Sequence, residues 1–197
     1  MSLPSEAREL DAARALLERL EAHARGERAH AHRVAVYAVA TGETLGISDG
    51  RLVALHRAAL LHDIGKLGVE PALLAIQGPV DPDSLALMRE HTALAEPVLT
   101  MAGFGPEVIE IVRDHHERHD GSGYPHGLQG DNLSREAQCV GLAEAFDLHA
   151  FGAPWAVPRG DEAATRLASS YHGRAFCTEV VDAFLSVQPL IQPVLER

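Results

Sequence analysis

Leu10, Ala13, Leu16, Leu17 and Leu20 recur at intervals of three and four residues within 5–24, a stretch built largely of Ala, Leu, Glu and Arg. These residue types favour helix, and the spacing gathers the apolar ones into one stripe on it. The same periodicity continues along the chain. Gly26 breaks the first run, and a second helix is predicted over 28–45, with Val34, Ala38 and Thr41 on one side, ending near Gly46. Ser48 and Asp49 can cap a third over 49–63, with Leu52, Leu55, Ala59 and Leu60 inward and Gly65 and Gly68 stopping it. Asp81 or Asp83 caps another through about residue 100, followed by helices over 106–118, 134–150, 161–170 and 177–187. No stretch alternates for long with a period of two, and no strand–helix–strand pattern appears. The reading is an all-α, single-domain helical bundle. Residues 1–25 form an N-terminal helix within or extending the domain, 26–187 the domain proper, and 188–197 a C-terminal tail.

Composition narrows the function. At 197 residues with 46% apolar content the chain can bury a real core. A formal net charge of −11 argues against a broad basic face for a nucleic-acid polymer. No apolar run reaches the roughly 20 residues needed to span a bilayer, and the N-terminus lacks the apolar core of a signal peptide. Cys139 and Cys177 are isolated, which suits a reduced, cytoplasmic protein.

The outlier is histidine, with twelve in the chain. His30 begins the second helix, His62 and Asp63 close the third, and His91 falls mid-helix. His115 and His116 lie near the end of another helix, and Asp147 is on "GLAEAFDLHA". A lone helical histidine is usually a surface or satisfied core residue. The adjacent pairs weigh against that here, because helical bundles can aim imidazoles and carboxylates at one interior point and hold a transition metal there. Helix neighbours point about 100° apart. His115 and His116 therefore share a centre only if the metal is close to their helix or two metals lie side by side.

The motifs carry a resemblance. "HDIGK" at 62–66 resembles the signature of HD-domain metal phosphohydrolases. "HHERHDGSGYP" at 115–125 is similar to the HHExxDGxGYP signature of the HD-GYP subgroup. "HAHRVAVYAVATGETLGIS", "QGPVDPDSLALMREH", "GLAEAFDLHA" and "FCTEVVDAFL" resemble further family stretches, so the likeness runs over about 16–187. It implies hydrolysis of the bacterial second messenger cyclic di-GMP to pGpG or GMP. Carried over by position, it implies one metal on His30, His62, Asp63 and Asp147, and a second on His91, His115 and His116, with Asp63 bridging. Two cations about 3.5–4 Å apart can bind a phosphodiester oxygen and lower the pKa of a shared water. Fe or Mn is expected, with Zn or Ni also suited to these donors.

Lys66 is either a helix C-terminal cation or, by the resemblance, a catalytic group neutralising phosphate charge. Tyr124 is expected to stack on a base or line the pocket mouth, and Gly121 and Gly123 to serve backbone conformation.

The sequence also departs from the family. Some members place a Glu four residues before the first His to support a third metal. Gly26 is there instead and Glu27 is out of register, so two metals are expected. The family's SDRPYR segment is replaced by "FGAPWAVPR", with Trp155 near the Tyr position, Ala156 where the arginine would be and Arg159 as a candidate substitute. Slow or weak turnover is expected. The other readings are an HD phosphohydrolase for another nucleotide and a catalytically weak module for signalling or interaction. A regulatory protein or a second copy would then dock at the N-terminal helix.

Overall fold

The computed structural model describes residues 5–153 and 157–195. The order is α1 (Ser5–His23), α2 (Glu27–Thr44), α3 (Asp49–Leu61), α4 (Pro71–Leu74), α5 (Pro82–Arg89), α6 (His91–Ala102), α7 (Pro106–Asp114), α8 (Arg135–Phe151), α9 (Asp161–Ser169) and α10 (Thr178–Leu195). Short 3₁₀ turns cover Ile64–Gly68 and Gly130–Asn132. Among the described residues there are isolated bridges but no strand, and no helix is long and apolar enough to cross a membrane.

The centre is α2, which packs on α3, α8 and α10. Its predicted inward residues Val34, Ala38 and Thr41 are all fully buried. Tyr37 meets Phe146 of α8 and Phe184 of α10 at ring separations of 5.2 and 5.7 Å, joining three helices through one aromatic cluster. The α1 stripe is spent inward: Ala13, Leu16, Leu17 and Leu20 are buried while Leu10 is exposed. Caps follow the sequence at two helices. Asp81 accepts from the Asp83 and Ser84 amides, and Ser134 accepts from Ala137.

Three boundaries differ from expectation. The helix predicted from Asp81 or Asp83 to about 100 is two helices, broken at Glu90, so His91 opens α6 rather than lying mid-helix. His115 is the C-cap of α7, with His116 just beyond it. The expected tail at 188 is instead helical through Leu195.

Gly65 lies against the chain just after the break at Glu90. The Ile64–Gly68 turn crosses the start of α6 so closely that a Cβ on Gly65 would land on the His91 carbonyl and crowd the Ala95 amide. Gly65→Ala is therefore expected to force these segments apart and cost about 1–3 kcal/mol. A thermal melt would show the lowered Tm, and an unchanged Tm would contradict the close crossing.

Candidate metal centre

The α3 C-terminus, the 3₁₀ turn after it, the α6 start, the α7 end and the inner faces of α2 and α8 meet at one buried point. His62 and His115 are fully buried, Asp63 is 2% exposed and His91 4%. Two donor groups result. His30, His62, Asp63 and Glu144 each offer one atom within 4.8 Å of the others, and so do His91, His115 and His116.

Asp63 stands between the groups. Its Oδ2 is 3.2 Å from His62 Nε2 and 3.8 Å from His30 Nε2, while its Oδ1 is 3.5 Å from His91 Nε2. Glu144 faces the second group, its Oε2 lying 3.8 Å from His115 Nε2 and 3.6 Å from His116 Nδ1.

The imidazoles are held from behind. Nδ1 of His62, His91 and His115 donates to the carbonyl three residues earlier, of Ala59, Met88 and Val112, at 2.8, 2.8 and 2.6 Å. Each of these bonds leaves Nε2 as the ring atom that points inward. Because the bond is to the chain's own preceding turn, helix geometry itself orients the ligand atom.

Electrostatics separates the two groups. Burial pushes His91, His115 and His116 below the ordinary imidazole range, for His115 with help from His62 and His91, so all three are neutral. Burial opposes charge on His62 as well, but the Asp63 carboxylate outweighs it and raises His62 to about 9. His62 Nε2 lies 3.2 Å from both Asp63 Oδ2 and His30 Nε2.

A buried polar atom with no partner is costly. Asp63 Oδ1, His91 Nε2 and His115 Nε2 are buried and make no hydrogen bond. Two nitrogens and a carboxylate oxygen, all acceptors and all aimed inward, fit a divalent cation.

Several expected site residues are placed differently. Asp147 is not in the donor cluster. Its Oδ2 accepts a hydrogen bond from His30 Nδ1 at 2.6 Å, and Arg33 donates to both its oxygens, at 2.6 and 2.9 Å. It orients His30, and Glu144, one turn earlier on α8, supplies the cluster's second carboxylate. Lys66 is buried rather than at a free helix end. Its Nζ donates to Asp63 Oδ2 at 2.7 Å and Glu27 Oε1 at 2.9 Å. Burial disfavours its charge, but those two carboxylates hold its pKa above the usual lysine value. Glu27, set aside as out of register, thus borders the centre through Lys66. Arg159 is exposed and lines neither cavity beside the cluster, where Arg25 and Arg33 on one side and Arg89 on the other are the arginines present. Trp155 and Ala156 lie outside the described residues.

The GYP loop is fastened by a residue the sequence reading did not single out. Buried Glu117 accepts from the His126, Gly127 and Leu128 amides at 2.5, 3.0 and 3.0 Å. Gly123 packs so close that a Cβ there would strike Glu117 and Arg118 backbone, a need for space as well as for backbone freedom. The Tyr124 ring then lies flat on His116, centroids 4.7 Å apart at 24°.

An all-α fold whose adjacent His–Asp pair anchors a buried imidazole–carboxylate cluster defines a helical metal-site domain. The chain belongs to the HD domain family, whose model matches residues 14–176. It is 33% identical over 171 residues to a cyclic di-GMP phosphodiesterase of Thermotoga maritima, covering 85% of this chain and 46% of that one. It is 40% identical over 118 residues to the 3'3'-cGAMP-specific phosphodiesterase 3 of Vibrio cholerae, covering 60% of this chain and 26% of that one. A solved HDG"Y"P protein from Bdellovibrio bacteriovorus shares the fold, with a TM-score of 0.64, 24% identity and coverage of 81% of this chain and 51% of that one. The chain thus spans a quarter to a half of the length of these proteins.

Proposed function

We propose that this chain is a metal-dependent phosphodiesterase that opens cyclic di-GMP to pGpG or GMP. Two divalent ions, iron or manganese with zinc or nickel as substitutes, would be held by the two donor groups, with Asp63 between them. The observation that carries this is the buried, unpaired set Asp63 Oδ1, His91 Nε2 and His115 Nε2. Relatives that are cyclic di-GMP and 3'3'-cGAMP phosphodiesterases support a cyclic dinucleotide as substrate. When bound, such ions supply Lewis acidity for a phosphodiester oxygen and activation of a water. The chain's own residues do the rest. Asp147 and the carbonyls of Ala59, Met88 and Val112 fix the imidazoles, and Glu117 sets the loop that carries Tyr124. Lys66 keeps a cation at the border of both flanking cavities, where phosphate charge would accumulate. The free thiols of Cys139 and Cys177 fit a cytoplasmic setting. A regulatory partner or second copy at α1 would use its outer face, since its apolar stripe is already buried.

The test is turnover of cyclic di-GMP by manganese-loaded protein, followed by chromatography of the products. Linear pGpG or GMP is expected, and no product from fully loaded protein would contradict the reading.

Metal binding should also depend on pH. The proton on His62 must leave before Nε2 can serve a cation, and its metal-free pKa is about 9. The neutral histidines of the second group release no proton above neutral pH. Apparent affinity is thus expected to rise about ten-fold per pH unit and to level off once pH passes that of His62. Chelator competition between neutral and alkaline pH would show it; a flat profile would place the proton elsewhere.

A further inference from the structure

Helix α5 contributes no buried residue to the fold, and its Leu85 and Leu87 are 39% and 49% exposed. Yet Leu85, Met88 and Arg89 form one wall of a cavity of about 180 Å³ whose floor includes Asp63, His91 and Glu144. That volume is below the usual range for a whole drug-sized ligand. It suits one part of a larger substrate whose phosphate is held at the donor cluster.

Tyr124 lines the same cavity and has two close neighbours. His116 stacks on the ring with centroids 4.7 Å apart, and the Arg89 guanidinium carbon lies over it, 4.9 Å from the centroid. A base approaching Tyr124, as the sequence suggested, thus meets Arg89 beside it. The guanidinium rests over the Tyr124 ring, and among the described residues it makes no hydrogen bond or ion pair. Its N–H donors are held in a fork at the cavity wall, exposed and unused. Arg89 and the donor-cluster residues Asp63, His91, His116 and Glu144 line one cavity. A base extending from a phosphate held at the cluster would come within reach of Arg89.

We propose that Arg89 is the residue that selects guanine in the substrate, an inference that rests on the cyclic dinucleotide reading above. Guanine offers two adjacent acceptors, N7 and O6, which match the arginine fork. Adenine offers N7 beside the N6 amino donor, which opposes it. Lysine in place of arginine keeps the charge but cannot make the paired contact.

The experiment is competition between cyclic di-GMP and cyclic di-AMP for manganese-loaded full chain, comparing wild type with Arg89→Lys and Arg89→Ala at equal metal content. Wild type is expected to favour cyclic di-GMP by about ten-fold or more in kcat/KM, the discrimination of one bidentate contact. Both variants are expected to lose that preference, chiefly through a raised KM for cyclic di-GMP. Arg89→Lys that keeps wild-type selectivity would overturn the proposal and make Arg89 a phosphate cation. Arg89→Ala indistinguishable from wild type, or wild type without preference, would overturn it also. Loaded wild type that cleaves bis(p-nitrophenyl) phosphate but neither dinucleotide would refute the substrate reading itself, and Arg89 selection with it.

Discussion

Asp63→Asn is expected to remove both metals together and with them more than about 100-fold of activity, since even residues behind a ligand contribute 10–100-fold. The two oxygens of Asp63 serve different groups, Oδ2 facing His62 and His30 and Oδ1 facing His91. An amide keeps the shape but loses the charge, and one of its two ends becomes a donor, which cannot ligate. No imidazole in the cluster can replace it, because each offers a single inward lone pair. His115→Ala, by contrast, is expected to empty chiefly the second group. Elemental analysis of both variants separates the cases. Two metals per chain retained in Asp63→Asn would remove its bridging role.

The second large effect divides Asp147 from Glu144. Asp147 is completely buried, and Arg33, 23% exposed at its side chain, binds it through two nitrogens. Asp147→Asn leaves that guanidinium without its counter-charge and His30 without its acceptor. The expected cost is about 3 kcal/mol, as for other broken buried pairs, with metal affinity lowered about 10–100-fold. Glu144→Gln should do the reverse. Burial and the nearby Asp63 charge push the Glu144 carboxyl above its ordinary range, so its charge is a burden in the metal-free fold. The amide should preserve or raise the Tm of metal-free protein while reducing metal content. Melts without metal and elemental analysis with it give four readings. Full metal content in Glu144→Gln, with a stable but metal-poor Asp147→Asn, would make Asp147 the ligand after all.

That exchange shows where sequence reading stops. Glu144 and Asp147 lie three residues apart on α8, nearly on one face, and both are acidic. Which of them faces the cluster depends on the rotation of α8, and packing of Phe146 against Tyr37 and Phe184 sets that rotation. Nothing local to "AEAFD" reports it. His62, Asp63, His115 and His116 were legible because the His–His pair and the His–Asp step are costly to bury without a use, whereas the lone His91 was legible only through the family resemblance. The helices were legible from their apolar period. The break at Glu90 was not, since no Gly or Pro stands there, and the close crossing of Gly65 beside it comes from far off in sequence. The helix read as ending near 187, just before Pro189, is carried on to Leu195. Arg89 carries no motif of its own; only its place over Tyr124 singles it out.

Stepwise addition of Mn²⁺ to metal-free protein, with bound metal and cyclic di-GMP hydrolysis followed in the same sample, bears most directly on the central claim. Hydrolysis is expected to stay near zero through the first equivalent and to rise as the second group fills, saturating at two ions per chain. Saturation at one ion, turnover in a chelator, or two tightly bound ions without hydrolysis of any cyclic dinucleotide would contradict it.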